Sequence, residues 1–483
     1  MATSSHEYNR NLFLFPHMSN TDIISSLLKA RQQSFDYGQF VGNVCNNKYV
    51  LVLGSEVLLD KSIHADVDGD MHKYILNRIN GVLERENNPY PSLNAMVESR
   101  PLVSTGYDPS GADLIRAVLE QDKDDLIISP ELVSLLETRL FRFVMTTSFD
   151  GMVETVMKQI WGEGRLRVVN IADQSDWKKF QMEVGETRDM TDCSRTTYQY
   201  DRPTLIYIFG KASDDRSSNF MKTENDAIRF IELWMNRNEP IIALMREKRM
   251  LALGCRFNDW YFRFFWYILK RDFGKLDAGE VVLSHTNGKP DDQALIAYLK
   301  DKNIFIDSDA RQFMQNVCDM LNPEKHDQLS KDFYNIIKSK RGDGYIFLSY
   351  CSRDFILASR IFFNLIDQGY NVWFDNENLC GGDYEVEIRK AIHGASVVLT
   401  LLTPDVMEDL TKGETDHFYC KEWRLASETG CERIIPVAAD GYSLRGNYHT
   451  KYESIIGGHL DGIDLMTDGF AQLKKMIDNV KTK

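Results

Sequence analysis

Three polar residues in the C-terminal third of the chain stand where a ligand site would be built. Ser349 and Asp375 each follow a short β-prone run, and Glu422 lies early in a helical segment that comes after the apolar run from Val397 to Leu402. Because the carboxyl ends of parallel strands meet at one edge of a sheet, these side chains are expected to lie close together. A carboxylate at such an edge can accept hydrogen bonds from a ligand and stabilise a positive charge that develops on it.

The segments around these residues alternate between the patterns of strands and helices. The helix after the first strand carries an apolar stripe at helical spacing, with Ser352 as its predicted N-cap and Gly369 at its predicted end. The run from Val397 to Leu402 is nearly continuously apolar, which is typical of a strand covered on both faces. The alternation predicts an α/β fold with a doubly wound parallel sheet, whose ligand crevice lies outside the carboxyl ends of its strands.

The composition is typical of a soluble globular protein. The 483 residues are 43% hydrophobic and 27% charged, and this length predicts two or three domains. The net charge of -14, with no long basic run, argues against nucleic acid as a partner. Eight cysteines without a CxxC pair indicate reduced thiols. The aromatic stretch from Trp260 to Leu269 is expected to be a buried helix, and with no secretory signal the chain is expected to be cytoplasmic and free of membrane.

Several sequence blocks from residue 345 onward together resemble a TIR domain. They occur in the order and at the spacing of that family and cover less than a third of the chain. The blocks are Ile346-Phe347-Leu348-Ser349-Tyr350, Gly369-Tyr370-Asn371-Val372-Trp373-Phe374-Asp375, Leu379-Cys380-Gly381-Gly382, Ala391-Ile392 and Leu401-Leu402-Thr403-Pro404. The resemblance implies a flavodoxin-like fold for this part of the chain.

The resemblance also implies a catalytic residue. In TIR domains that hydrolyse NAD, the catalytic glutamate lies early in the helix after the fourth-strand loop and is preceded by an aromatic residue. Glu422, which follows Phe418 and Tyr419, occupies that place. The implied substrate is NAD. Loss of nicotinamide leaves an oxocarbenium-like ribose and a neutral leaving group, so a carboxylate that stabilises the positive charge can carry the reaction without a general acid.

Five further residues are expected to bind the substrate. Phe418, Tyr419 and Trp373 could stack on a base or on the nicotinamide ring. Trp373 also fits a core position, because its strand is expected to be covered on both faces. Ser349 and Asp375 are expected either to line the pocket or to serve a structural role at the strand ends. No metal is expected at the site.

Assembly is a further implication of the resemblance. In the enzymes of the family, the loop between the second strand and the second helix, here Asp375 to Asp383, contacts a neighbouring TIR domain. A homo-oligomer formed through TIR contacts is therefore expected to complete the site. Many TIR domains are instead non-catalytic adaptors, and the fold alone does not separate the two classes.

The N-terminal two thirds of the chain repeat the alternation of strands and helices. This predicts a second Rossmann-like domain, with Tyr49–Leu53 as a strand that runs directly into Gly54 and Ser55. The segment from Asp173 to Arg202 is polar and acidic and is predicted to be a surface loop or a mobile flap.

Four blocks of this region resemble a divergent sirtuin-like domain of the kind found in prokaryotic defence proteins. They are Leu51-Val52-Leu53-Gly54-Ser55, Thr146-Thr147-Ser148-Phe149-Asp150, Ile208-Phe209-Gly210-Lys211 and Leu253-Gly254-Cys255-Arg256-Phe257-Asn258-Asp259. Ser148 stands where the family has an asparagine, and Phe209 stands where it has the catalytic histidine. Without that base, a sensing or assembly role is expected. The residues of the implied pocket are Gly54, Ser55, Asp150 and Asp259.

The two resemblances divide the chain into an N-terminal extension (1–20), a sirtuin-like domain (21–321), a helical linker (322–344) and a TIR domain (345–483). They favour an NAD glycohydrolase in a defence role, with the sirtuin-like domain as sensor or assembly module and a phage or host protein as trigger. Two alternatives stay open at this point. One is a non-catalytic TIR scaffold, and the other is NAD hydrolysis or deacylation by the sirtuin-like domain.

Overall fold

The computed structural model describes defined parts of the chain. These are residues 37–45, 48–85, 87–101, 103–104, 108–185, 203–212, 219–237, 248–256, 259–269, 281–284, 304–307, 310–321, 344–374, 384–430, 433–440, 442, 450–457, 460–465 and 468–481. The predicted N-terminal extension, residues 186–202, residues 322–343 of the predicted linker, and Asp375 with its loop lie outside them.

A seven-stranded parallel sheet forms the core of the N-terminal domain. Its order is β3-β4-β2-β1-β5-β6-β7. The strands are β1 (Tyr49–Leu53), β2 (Phe143–Thr146), β3 (Arg167–Asn170), β4 (Thr204–Tyr207), β5 (Arg249–Leu253), β6 (Val281–Ser284) and β7 (Ile304–Asp307). All of β1 is buried: Tyr49, Leu51 and Leu53 pack on one face of the sheet. Val50 and Val52 pack on the other face, as the two-residue period of a strand requires.

Helices cover both faces of this sheet. They are α1 (Tyr37–Cys45), α2 (Met71–Val82), α3 (Leu93–Glu98), α4 (Gly111–Gln121), α5 (Pro130–Glu137), α6 (Met152–Trp161), α7 (Gln174–Gly185), α8 (Glu224–Arg237), α9 (Trp260–Leu269) and α10 (Ala310–Leu321). The prediction that α9 is buried is confirmed in part, because Phe262 and Phe265 are buried whereas Trp260 and Phe264 are exposed. Among the helices that the structure describes, none is long and apolar enough to cross a membrane.

Helix α7 corrects one prediction. Its residues belong to the segment predicted as a surface loop or flap. Trp177 and Phe180, one helical turn apart, are each only 1% exposed and anchor the helix against the sheet. The segment is otherwise polar, so two apolar residues were too few to indicate a buried helix face in the sequence.

A five-stranded parallel sheet forms the C-terminal domain. Its order is β12-β11-β10-β8-β9. The strands are β8 (Ile346–Ser349), β9 (Val372–Trp373), β10 (Val397–Leu402), β11 (Ile434–Ala438) and β12 (Ile463–Asp464). The helices are α11 (Phe355–Asp367), α12 (Tyr384–Gly394), α13 (Pro404–Lys412), α14 (Phe418–Glu428), α15 (Thr450–Ile456) and α16 (Gly469–Lys481). Read from the β9 edge, the order follows the flavodoxin-like pattern and confirms the predicted fold class.

The two ends of α11 differ in how well they were predicted. Ser352 is not the N-cap, because it begins a 3-10 turn, Ser352–Asp354, and Asp354 stands at the N-cap position. Gly369 follows the C-cap residue Gln368 and has a φ of 87°. Glycine adopts this left-handed conformation without steric cost, so the predicted end of the helix is confirmed.

The two domains share a packed interface. Helix α1 lies against α11, where a Cβ added at Gly42 would come within 3.1 Å of the ring of Phe363. Arg142, just before β2, forms an ion pair with Asp440, just after β11. The two side chains are only 2% and 4% exposed. This buried ion pair joins the carboxyl edge of the C-terminal sheet to the N-terminal domain.

Candidate active site

Ser349 and Glu422 meet at the carboxyl edge of the C-terminal sheet. Ser349 is the last residue of β8 and is fully buried, and its Oγ donates a hydrogen bond to Oε2 of Glu422 at 2.5 Å. Glu422 is half-buried in the second turn of α14. Strand β8 lies between β9 and β10, so Ser349 stands at the switch point where doubly wound sheets bind their ligands.

A cleft of about 220 Å³ opens beside Glu422, and Ser349 does not line it. It is lined by Ile388, Phe418, Lys421, Glu422, Arg424, Leu425 and Glu428. Phe418 is 62% exposed, and Nζ of Lys421 lies 5.2 Å from the centre of its ring. The cleft therefore combines two carboxylates, an accessible aromatic face and two cations. These groups suit sugar hydroxyls, a planar base and phosphates.

The other predicted substrate-binding residues are placed differently. Tyr419 is 4% exposed in an apolar cluster, and burial raises the pKa of its phenol well above the usual range. Trp373 is 8% exposed and stacks on Phe347 with 4.7 Å between ring centres, which is the core position that the sequence left open. Of the three aromatic residues expected to stack on the substrate, Phe418 is the one that lines the cleft. Asp375 lies outside the described residues.

One group of side chains in the described part of the chain has the spacing of metal ligands. Nε2 of His417 lies 3.2 Å from Oε2 of Glu414 and 3.6 Å from Oδ2 of Asp409. The same Oδ2 accepts hydrogen bonds from the guanidinium of Arg353 and from the hydroxyl of Tyr419. Because Arg353 already supplies a positive charge here, this donor set fits an internal ion pair better than a metal ion.

Asp354 is a buried carboxyl group at the same sheet edge. It is 4% exposed and accepts a hydrogen bond from Oγ1 of Thr403 at 2.8 Å. Burial raises its pKa from 3.8 to about 7, and the nearby charges of Asp440 and Asp405 contribute in the same direction. The folded protein therefore holds this proton more tightly than the unfolded chain does.

Asp354→Asn is expected to remove a pH-dependent loss of stability. The favourable contribution of the protonated group is complete below the unfolded pKa of 3.8 and is lost as pH rises through about 7. Since each pKa unit corresponds to about 1.4 kcal/mol and the pKa rises from 3.8 to about 7, the variant should gain about 4 kcal/mol over the wild type between about pH 4 and pH 8. Urea unfolding at both pH values measures this. A difference between the two proteins that does not change with pH would contradict it.

The loops after β1, β2 and β5 meet at the carboxyl edge of the N-terminal sheet. They enclose a pocket of about 20 Å³, which is room for roughly one water molecule. It is lined by Ser55, His72, Thr147, Met221, Arg256, Asp259, Tyr261 and Phe262. Ser55 and Asp259 of the predicted pocket are thus brought together. Asp150 does not line the pocket; its carboxylate accepts a hydrogen bond from Ser148, and burial raises its pKa.

His72 is a pocket residue that sequence reasoning missed. Its ring stacks on Phe149 with 4.8 Å between centres, and its Nε2 lies 3.3 Å from Oγ of Ser148. Burial and then the charge of Arg256 lower the pKa of His72 to about 4, so the ring is neutral near pH 7. Asp70, the N-cap of α2, could have predicted where the helix starts. No local pattern indicates which loop that helix faces.

Gly54 permits a close approach between the ends of β1 and β5. A Cβ at this position would lie 2.0 Å from the backbone oxygen of Gly254 and 2.6 Å from Cα of Cys255. We expect Gly54→Ala to destabilise the N-terminal domain by at least about 3 kcal/mol, because backbone atoms cannot move aside as the end of a side chain would. Thermal unfolding measures the loss, and wild-type stability in this variant would contradict the close approach.

Gly81→Ala is the matched control for this substitution. Gly81 lies in the last turn of α2, and a Cβ there would have no atom within 4 Å. Alanine loses less backbone freedom than glycine on folding, so this variant should be unchanged or more stable by up to about 1 kcal/mol.

The fold and the two sites define the class of each domain. The C-terminal domain is a flavodoxin-like α/β domain with a serine and a glutamate paired at its switch point. Residues 346–477 match the family model of the TIR domain, and residues 142–306 match that of the SIR2-like, or sirtuin-like, domain. A comparison with curated proteins finds no match. The chain thus carries a SIR2-like domain followed by a C-terminal TIR domain, and both domain types indicate a function related to NAD.

Proposed function

We propose that the TIR domain cleaves nicotinamide from NAD and that Glu422 is its key carboxylate. The observation that carries this proposal is the 2.5 Å hydrogen bond from Ser349 to Glu422 at the switch point of the sheet. It orients the carboxylate in a cleft that also offers the exposed ring of Phe418 and the cations of Lys421 and Arg424. In this proposal Phe418 stacks on the nicotinamide ring, Glu422 contacts the ribose, and the cations approach the pyrophosphate.

The reaction needs a well-placed negative charge more than it needs an acid. When the bond between ribose C1′ and the nicotinamide nitrogen breaks, both electrons go to the nitrogen, and the ring leaves as a neutral molecule. The ribose becomes oxocarbenium-like. The carboxylate of Glu422 stabilises this positive charge more strongly in the transition state than in bound NAD, which is the condition for catalysis. Water then adds to C1′ and loses a proton, giving ADP-ribose.

The SIR2-like domain acts, in this proposal, as a sensor or an assembly module. Phe209, at the position of the sirtuin histidine, is 1% exposed and packs edge-on against Tyr261 with 5.5 Å between ring centres. The nearby pocket has room for roughly one water molecule, which does not suit a dinucleotide without rearrangement. A phage or host protein acting on this domain assembles the TIR domains into a homo-oligomer in the cytoplasm, and consumption of NAD disables the infected cell.

Nicotinamide release by the purified protein tests the enzymatic part of the proposal. The protein is incubated with NAD either at high protein concentration or with a crowding agent, because both conditions favour assembly. We expect release from the wild type and none above background from Glu422→Ala. Release that survives Glu422→Ala but is lost in Asp150→Ala would assign the chemistry to the SIR2-like domain. No release from either protein would favour a scaffold.

A phage challenge tests the defence role. Cells carrying the wild type should survive as a culture, whereas cells carrying Glu422→Gln should be lysed. Equal protection by the two proteins would reject a defence function that depends on NAD cleavage.

A further inference from the structure

Helix α14, which carries Glu422, lacks a side-chain cap at its start. His417 is the N-cap residue and makes no capping hydrogen bond with its side chain. The first turn is held from the side instead. The hydroxyl of Tyr419 donates to Oδ2 of Asp409 at 3.1 Å, and the His417 ring stacks on Tyr419 with 5.2 Å between centres and 9° between planes. Asp409 therefore restrains the turn that directly precedes Glu422.

Asp409 also restrains the loop that follows Ser349. The guanidinium of Arg353 donates to the same Oδ2 of Asp409, whose side chain is 7% exposed. This ion pair ties the short segment after β8 to α13, the helix that contains Asp409. A second contact joins the same two elements. The hydroxyl of Thr403, the N-cap of α13, donates a hydrogen bond to the carboxyl group of Asp354 at 2.8 Å.

One buried carboxylate thus contacts both sides of the proposed catalytic pair. On one side is the segment that continues from Ser349, and on the other is the helix that carries Glu422. A buried acceptor with two donors cannot shift toward one of them without weakening its bond to the other, which costs about 1–3 kcal/mol when a partner is lost.

We propose that Asp409 is a positioning residue, which sets the distance between Ser349 and Glu422 and so the orientation of the Glu422 carboxylate in the cleft. The inference rests on the proposed cleavage of NAD. Asp409 does not line the cleft, so it acts through the other two residues and makes no contact with the substrate. Misplacement of a catalytic group by about 1 Å can lower a rate about 100-fold, and the effect falls on kcat more than on KM.

Steady-state NAD cleavage by Asp409→Asn tests the inference. Asparagine keeps an oxygen that can accept from Tyr419 but loses the charge that holds Arg353. We expect kcat to fall about 10- to 100-fold, with KM changed by no more than about twofold. Tyr419→Phe removes only a hydroxyl, should give a smaller loss of the same kind, and keeps the test decisive if Asp409→Asn folds poorly. Glu408→Gln is the matched control, since this carboxylate lies next to Asp409 on α13, is 63% exposed and should leave kcat unchanged.

A double-mutant cycle with Ser349→Ala separates positioning from a general structural role. If Asp409 acts through the contact between Ser349 and Glu422, the double variant should lose little more activity than Ser349→Ala alone. The inference would be overturned if the fold loss of kcat in the double variant equalled the product of the losses in the two single variants. An unchanged kcat in both Asp409→Asn and Tyr419→Phe would overturn it as well. A lower kcat in Glu408→Gln would show that any loss of charge on α13 affects the site, and would also overturn the inference. No nicotinamide release by the wild type would overturn the proposed function itself and, with it, the role of Asp409.

Discussion

Glu422→Gln is expected to lower the rate of nicotinamide release by at least about 100-fold. Glutamine has nearly the shape of glutamate, and its amide oxygen can still accept the hydrogen bond that Ser349 donates. What the variant lacks is the negative charge. This charge contributes most in the transition state, where the ribose is oxocarbenium-like, so the loss should appear in kcat while KM for NAD changes less.

Glu408→Gln is the matched control for this experiment. Glu408 lies in the same domain, is 63% exposed and pairs with Lys412 at 2.7 Å on the surface of α13. An exposed pair of this kind contributes little, so the rate should stay within about twofold of the wild type. Nicotinamide is measured by chromatography at several protein concentrations. A Glu422→Gln protein that is as active as Glu408→Gln would contradict the catalytic role of Glu422.

Asp440→Asn is expected to lower the free energy of unfolding by about 3 to 5 kcal/mol. Asp440 and Arg142 form an ion pair between the two domains, in which the side chains are 4% and 2% exposed. Asparagine has the size of aspartate and tolerates the backbone φ of 54° at this position, so little changes besides the charge. The guanidinium of Arg142 would then stay buried without the charge that balances it.

Asp405→Asn makes the same chemical change in a partly exposed pair between the same two domains. Asp405 lies 3.8 Å from Arg139, and the two side chains are 36% and 33% exposed. Water screens this pair, so the expected loss is below about 1 kcal/mol. Urea unfolding of both variants measures the contrast. If Asp440→Asn loses no more stability than Asp405→Asn, then water reaches Asp440 and the domains are not packed together there.

Strands covered on both faces were the easiest elements to predict. Tyr49–Leu53 and Val397–Leu402 have the predicted bounds, because each is a continuous apolar run in which every residue is buried. Strand β12, Ile463–Asp464, contains two residues and offers no such run, so it was not predicted. Helix α7 was missed for a related reason, since two buried aromatic residues anchor a segment that is otherwise polar.

The candidate site was predictable as far as topology determines it. Ser349 ends β8, and Glu422 lies on the connection between β10 and β11. A parallel sheet brings the carboxyl ends of its strands to one edge. Asp409 had no comparable signal. It is one of three acidic residues in α13, with Asp405 and Glu408, and the sequence does not indicate which of them meets Tyr419.

The sequence by itself determined the order of the elements, the α/β class and the resemblance that singles out Glu422, because apolar periodicity and blocks of neighbouring residues are local properties of a chain. Only the tertiary structure decided which distant side chains meet. His72 reaches Ser148 across 76 positions, and Arg142 reaches Asp440 across 298. Hydrogen bonds and ion pairs of this kind act over a few ångströms, so they exist only once whole helices and sheets have packed, and they leave no periodic pattern in the sequence.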